Sequence, residues 1–227
     1  MFWYRRENQD LMEIRRLYQD RVYVAAGINF FDTASVKNAM TLAEQGKICA
    51  VKFHSRAAGR ALRDIPEDSV RFLTEYNLPV IFHIGSGDEQ ELEKKGVDIS
   101  LSEAIKVAKR FPRVRFAFAY LGRVHEDLLK AFELDNVVFD TAALSWYDKD
   151  KKEIVAKSSL KPRIERFSEL IAFLLERGFE DRILFGSDAP YCVSYSSELK
   201  PILESGATGS QLEKILFANT MHWFNLK

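Results

Sequence analysis

Residues 182–190 read RILFGSDAP. Ile183 to Gly186 has the composition of a strand buried on both faces, and such a strand has no reason of its own to end on a charge. Ser187 and Asp188 follow at once, and then Pro190. A carboxylate placed there implies that something at that end of the strand requires one. The same pattern recurs upstream. RVYVAAGI (21–28), ICAVKFH (48–54), LPVIFHIG (78–85), VRFAFAYLG (114–122) and NVVFD (136–140) are short apolar runs rich in Val, Ile and Phe, with little polar alternation. Six such runs suit parallel strands covered on both sides.

The segments between them read as helices. SVKNAMTLAEQ (35–45) starts at Ser35, a favoured N-cap, and stops at Gly46. Residues 67–76 follow Pro66, 102–110 start at Ser102, 165–177 end before Gly178, and 210–217 start at Ser210. Strand and helix alternate, which predicts an α/β fold with right-handed crossovers. Residues 145–164 (SWYDKDKKEIVAKSSLKPRI) break the rhythm with a run of charge. They read either as a solvated insertion or as a loop that covers a site. No repeat and no shift in composition marks a boundary, so residues 1–227 read as a single domain.

The bulk numbers exclude several classes. Lys plus Arg and Asp plus Glu both count 33, so the formal net charge is zero, which argues against nucleic acid or an anionic membrane as the main partner. No apolar run approaches the length of a membrane span, and MFWYRRENQD at the start has no signal-peptide hydrophobic region. The two cysteines, Cys49 and Cys192, form no CxxC pair and read as reduced, buried or half-buried thiols suited to a cytoplasmic setting.

Polar residues collect where these strands end: His54 on the second, His83 on the third, Tyr120 on the fourth, Asp140 on the fifth and Asp188 on the sixth. The carboxyl edge is where sites form, whether the sheet is open or closed into a barrel. Nitrogen and oxygen donors on one rim suit a divalent metal ion, zinc in the first instance. Each residue also has a plain structural reading. His83 and His222 could be packing residues, Asp140 and Asp188 turn residues, and His125 a solvated residue at a helix start.

Six fragments, in order and at similar spacing, resemble the amidohydrolase-related metal-dependent hydrolases and decarboxylases, which are TIM barrels of the amidohydrolase superfamily. They are AVKFH (50–54), LPVIFHIGSG (78–87), FPRVRFAFAYLG (111–122), NVVFDTAA (136–143), RILFGSDAP (182–190) and ILFANTMHWFNL (215–226). The resemblance implies a (β/α)8 barrel with His83 as a metal ligand. It also implies Asp188 as the last-strand carboxylate, which binds metal or takes the proton of the attacking water. A divalent ion would lower the pKa of that water and polarise a carbonyl of a small-molecule substrate. His54, Tyr120 and Asp140 would then lie on the substrate side.

The chain departs from the family pattern in two places. It has no His-x-His pair, which the family carries on its first strand, and residue 21 already aligns with the family's third strand. The expectation is therefore a barrel lacking its first two strand-helix units, with about six parallel strands. The family's strand ending in Ala-His-Leu-Gly-Gly reads AYLGR here (119–123), and a phenol is a poor general base at neutral pH. Two readings stay open: an active metal-dependent hydrolase or decarboxylase, and a non-catalytic relative acting as a binding or scaffold protein. An open sheet also exposes two edges, through which the chain could form a homo-oligomer.

Overall fold

All six apolar runs contain a strand. They are β1 (Ala25–Gly27), β2 (Ala50–Phe53), β3 (Val80–Phe82), β4 (Phe116–Phe118), β5 (Val137–Asp140) and β6 (Ile183–Leu184). They form one sheet in the order β1-β2-β3-β4-β5-β6, so the sheet among the described residues is open, with β1 and β6 as its edges. The computed structural model describes residues 3–18, 21–55, 62–85, 99–143, 166–189 and 195–227. The charged segment 145–164 and Cys192 fall outside the described residues. The strands are shorter than the apolar runs that contain them, because the runs continue into the turns at each end. By contact the chain divides into two compact units, Met1–Ala117 with Trp223–Lys227, and Phe118–His222.

In the first unit β1 pairs in parallel with β2 (Ala25 opposite Ala50, Gly27 opposite Lys52), and β2 with β3 (Val51 opposite Val80, Phe53 opposite Phe82). Side chains alternate along each strand, so Phe53 and Phe82 share one face. Phe30, Phe53, Phe82 and Phe116 form a ladder of rings at centroid spacings of 5.3, 6.0 and 5.1 Å. All four are essentially fully buried. Helices lie between the strands: α2 (Thr33–Glu44), α3 (Arg71–Glu75) and α4 (Leu101–Arg110).

Two expected caps move upstream. Asp32, not Ser35, caps α2 by accepting the Ala34 N–H at 2.9 Å, and Ser35 Oγ instead accepts the Asn29 N–H at 2.9 Å. Ser100, not Ser102, caps α4 by accepting the Glu103 N–H at 3.2 Å. In both cases an oxygen-bearing residue lies just ahead of the apolar face, and the earlier one wins because the helix gains residues. A helix without a counterpart in the apolar pattern, α1 (Trp3–Leu17), precedes β1. The Arg115 guanidinium donates to the carbonyls of Asn77, at 2.7 Å, and of Trp223, tying the last residues to this unit. Cys49 is half-buried, its thiol donates to Val24 O at 3.5 Å, and burial pushes its pKa up to about 11. It is therefore protonated and unreactive near neutrality.

In the second unit β5 and β6 are parallel, Phe139 opposite Ile183 and Asp140 opposite Leu184. Phe139 packs against Phe118 at 5.7 Å and Phe132 at 4.7 Å. The helices are α5 (Leu128–Phe132), α6 (Phe167–Leu175), α7 (Tyr195–Leu203), α8 (Gly209–Glu213) and α9 (Asn219–Trp223). The expected helix 210–217 is longer than its pattern: α8 continues through a π-turn (Lys214–Ala218) into α9. Asn219 explains the continuation, because its amide donates to the carbonyls of Glu180 (2.6 Å) and Ile183 (2.8 Å) at the start of β6. His222 lies in α9. No helix among the described residues is long and apolar enough to cross a membrane.

Candidate functional site

Strand register decides what happens at the carboxyl end of the first unit. Phe53 is opposite Phe82, and the His83 N–H donates to Phe53 O at 3.1 Å. The next residues, His54 and His83, therefore fall side by side on the face opposite the phenylalanine ladder. Their rings stack with centroids 3.8 Å apart and planes inclined by 16°. Both histidines are half-buried. Lys52, two residues before His54, projects to the same face of β2. A sequence signal for the pairing exists: two consecutive strands, AVKFH and PVIFH, both end in Phe-His.

At the carboxyl ends of the second unit the backbone takes conformations that L-residues avoid. After β4, five consecutive residues are left-handed: Tyr120 (φ 65°), Leu121 (45°), Gly122 (57°), Arg123 (60°) and Val124 (54°). After β5 Ala143 is left-handed (φ 59°), and after β6 so is Asp188 (φ 53°). A left-handed L-residue costs about 1–2 kcal/mol, and a run of five is rare for that reason. Of the five, only Gly122 suits the conformation intrinsically. Among the described residues, every non-glycine with positive φ outside these three turns is an asparagine, Asn77 or Asn225.

The surroundings hold these turns in place. Asp140 Oδ1 accepts the N–H of Tyr120 at 2.8 Å and of Ala142 at 3.1 Å, so the carboxylate ties the β4 turn to the end of β5. Tyr120 is buried, and the Arg123 guanidinium lies 4.2 Å from the centre of its ring. His125, expected in solvent, is instead half-buried and folded back: its Nδ1 accepts the Asp127 N–H at 3.1 Å. Thr141, fully buried, accepts the Gly186 N–H on Oγ1 at 3.2 Å, two residues before Asp188. A Cβ at Gly186 would meet Ala142 Cβ at 3.1 Å and Ala142 N at 3.3 Å. Gly186→Ala should therefore cost about 1–3 kcal/mol, read from the shift in a urea unfolding midpoint.

The donors among the described residues do not make a closed metal site. Among the described residues no three His, Cys, Asp or Glu gather where they could hold one ion. Two imidazoles on one tetrahedral ion splay from it, with ring centres about 5 Å apart, whereas His54 and His83 stack at 3.8 Å. As placed, the pair does not chelate. His83 belongs to the first unit and Asp188 to the second.

These features define an α/β protein of the TIM-barrel type, with its polar residues at the ends of its parallel strands. The chain belongs to the amidohydrolase family, whose model matches residues 3–225. No curated protein matches it in sequence. Among solved structures it resembles an uncharacterised TIM-barrel protein from Bordetella bronchiseptica (TM-score 0.71, 16% identity, 96% of this chain and 72% of that one). It also resembles 5-carboxyvanillate decarboxylase from Novosphingobium aromaticivorans, solved with bound manganese (TM-score 0.70, 14% identity, 98% and 70%). A third is a probable 2-pyrone-4,6-dicarboxylic acid hydrolase from Acinetobacter baumannii (TM-score 0.68, 16% identity, 96% and 79%). At these identities the likeness is one of fold.

Proposed function

We propose that the chain is a hydrolase or carboxy-lyase acting on a small cyclic carboxylic acid, with Asp188 as the group that accepts a proton. The observation that carries this reading is the placement of strain. Outside asparagine, every left-handed L-residue among the described residues lies just beyond a strand end, and Asp188 is one of them. Strained backbone persists where the surroundings over-determine it, and it clusters at working sites. The family match over residues 3–225 and the fold neighbours that act on aromatic or pyrone carboxylates support the substrate class. In this reading Tyr120 is a substrate-binding group of the second unit and His54 one of the first. Asp140 contributes by fixing the Tyr120 backbone.

His83 and Asp188 have the right chemistry to bind a divalent cation, zinc or manganese, which would polarise a carbonyl. The described residues fall short of the three protein ligands of a catalytic ion. A second reading, a non-catalytic relative that binds a ligand or scaffolds a partner, gains from the stacked pair His54–His83.

One experiment separates the two readings. The purified chain is equilibrated with zinc or manganese, freed of excess and analysed for bound metal, beside His83→Ala. The same samples are assayed for loss of 5-carboxyvanillate and 2-pyrone-4,6-dicarboxylate. Stoichiometric metal that falls at least about tenfold in the variant, with turnover, supports the enzyme. Absence of both metal and turnover leaves the binding protein.

A further inference from the structure

The β1 edge of the sheet is occupied by a side chain. Along β1 the residues that bond to β2 alternate: Cys49 N–H donates to Val24 O and Ile28 N–H donates to Lys52 O, each at 2.9–3.0 Å. In a parallel pair the residues between point their N–H and C=O the other way, so Gly27 faces away from β2, toward the open edge. Both of its groups are taken by one residue of α1. Asn8 Oδ1 accepts the Gly27 N–H at 2.8 Å, and Asn8 Nδ2 donates to Gly27 O at 3.1 Å. A carboxamide carries the donor and acceptor of a peptide group, so Asn8 stands where one peptide of a neighbouring strand would stand. The second Nδ2 hydrogen goes to Asn38 Oδ1 on α2 at 3.2 Å, which fixes the amide's orientation. Asn8 is 3% exposed.

The residues of α1 that follow Asn8 are held less firmly. A groove of about 620 Å³ runs between α1 and α2, lined by Asn8, Met12, Arg16, Asn38, Leu42 and Lys47. On α1 and the residue that follows it, Ile14, Leu17 and Tyr18 share one face at helical spacing and are 44%, 58% and 56% exposed. Apolar burial therefore contributes little at the C-terminal end of α1, and among the described side chains of the helix Asn8 supplies the hydrogen bonds to the sheet.

We propose that α1 is a cover for the β1 edge, latched by Asn8, and that the latch keeps a second copy of this chain from adding a strand at Gly27. An unpaired edge is a template for such addition, and closing it with a local element is how folded chains avoid it. The latch uses none of the residues assigned to chemistry.

The test compares the full chain with Asn8→Ala and Asn8→Asp. Amide hydrogen exchange at Gly27 is followed beside that at Val51, whose N–H donates to Pro79 O at 3.0 Å within the sheet. Losing the latch should speed exchange at Gly27 by about tenfold or more and leave Val51 unchanged. Asn8→Asp keeps an acceptor but no donor and should fall between. Sedimentation should show concentration-dependent self-association in Asn8→Ala and not in the wild type. Unchanged Gly27 exchange in the variants overturns the latch, and exposed Gly27 without self-association overturns the role against a second copy. A wild-type Gly27 amide that already exchanges like a solvent amide overturns the proposal even if neither variant folds.

Discussion

Asp188→Asn is expected to lower turnover by about 10²–10⁴-fold, the span over which a positioned acid–base group acts, while the melting temperature stays within a few degrees of wild type. The two halves of this result have separate causes. Asp188 has φ 53°, a conformation that asparagine adopts at least as readily as aspartate. The substitution therefore keeps the backbone it lands on and exchanges the basic carboxylate for a neutral amide of the same shape. Asp188→Val shows the contrast, because a β-branched residue forced into the left-handed region adds about 1–2 kcal/mol of strain. It should lose both stability and activity. The measurement is kcat on whichever of the two carboxylic acids the wild type consumes, beside a thermal melt of each variant. Asp188→Asn turning over within a few-fold of wild type would take this carboxylate out of the chemistry.

The largest structural effect should come from Phe53→Ala, at about 3–5 kcal/mol of unfolding free energy. Phe53 is fully buried, with ring centroids 5.3 Å from Phe30, 6.4 Å from Phe31 and 6.0 Å from Phe82. Truncation removes the central rung of the ladder and leaves a cavity among rings attached to strands that cannot collapse inward. The same residue's carbonyl takes the His83 N–H, and His54 is its chain neighbour. The loss should therefore register as altered imidazole NMR signals as well as a lower urea midpoint. Phe53→Leu, which keeps most of the volume, should cost less than about 1.5 kcal/mol and leave those signals near wild type. An alanine variant as stable as wild type would mean that the ladder is not the core of the first unit.

Much of this architecture is legible in the chain because of how parallel strands are covered. A strand with helices on both sides needs apolar residues at every position, so runs such as VVF (137–139) and VIF (80–82) stand out against amphipathic helices. Helix starts are legible only to within a turn. Asp32 and Ser35, or Ser100 and Ser102, are chemically adequate caps, and the choice falls to whichever donor the folded backbone presents. α1 was not legible at all, because its role depends on one amide reaching a glycine nineteen residues away.

Sequence alone determined the six strand positions, the α/β class, the family and the polar residues that end the strands, because burial pattern and strand-end chemistry are local in the chain. Tertiary structure decided which of those polar residues meet. Register stacks His54 on His83, the Asp140 carboxylate binds the Tyr120 backbone, and Asn8 covers the sheet edge. It also decided that the turns after β4, β5 and β6 are left-handed. That conformation opposes the local preference of Leu121, Val124 and Ala143, so it can be imposed only by contacts distant in sequence.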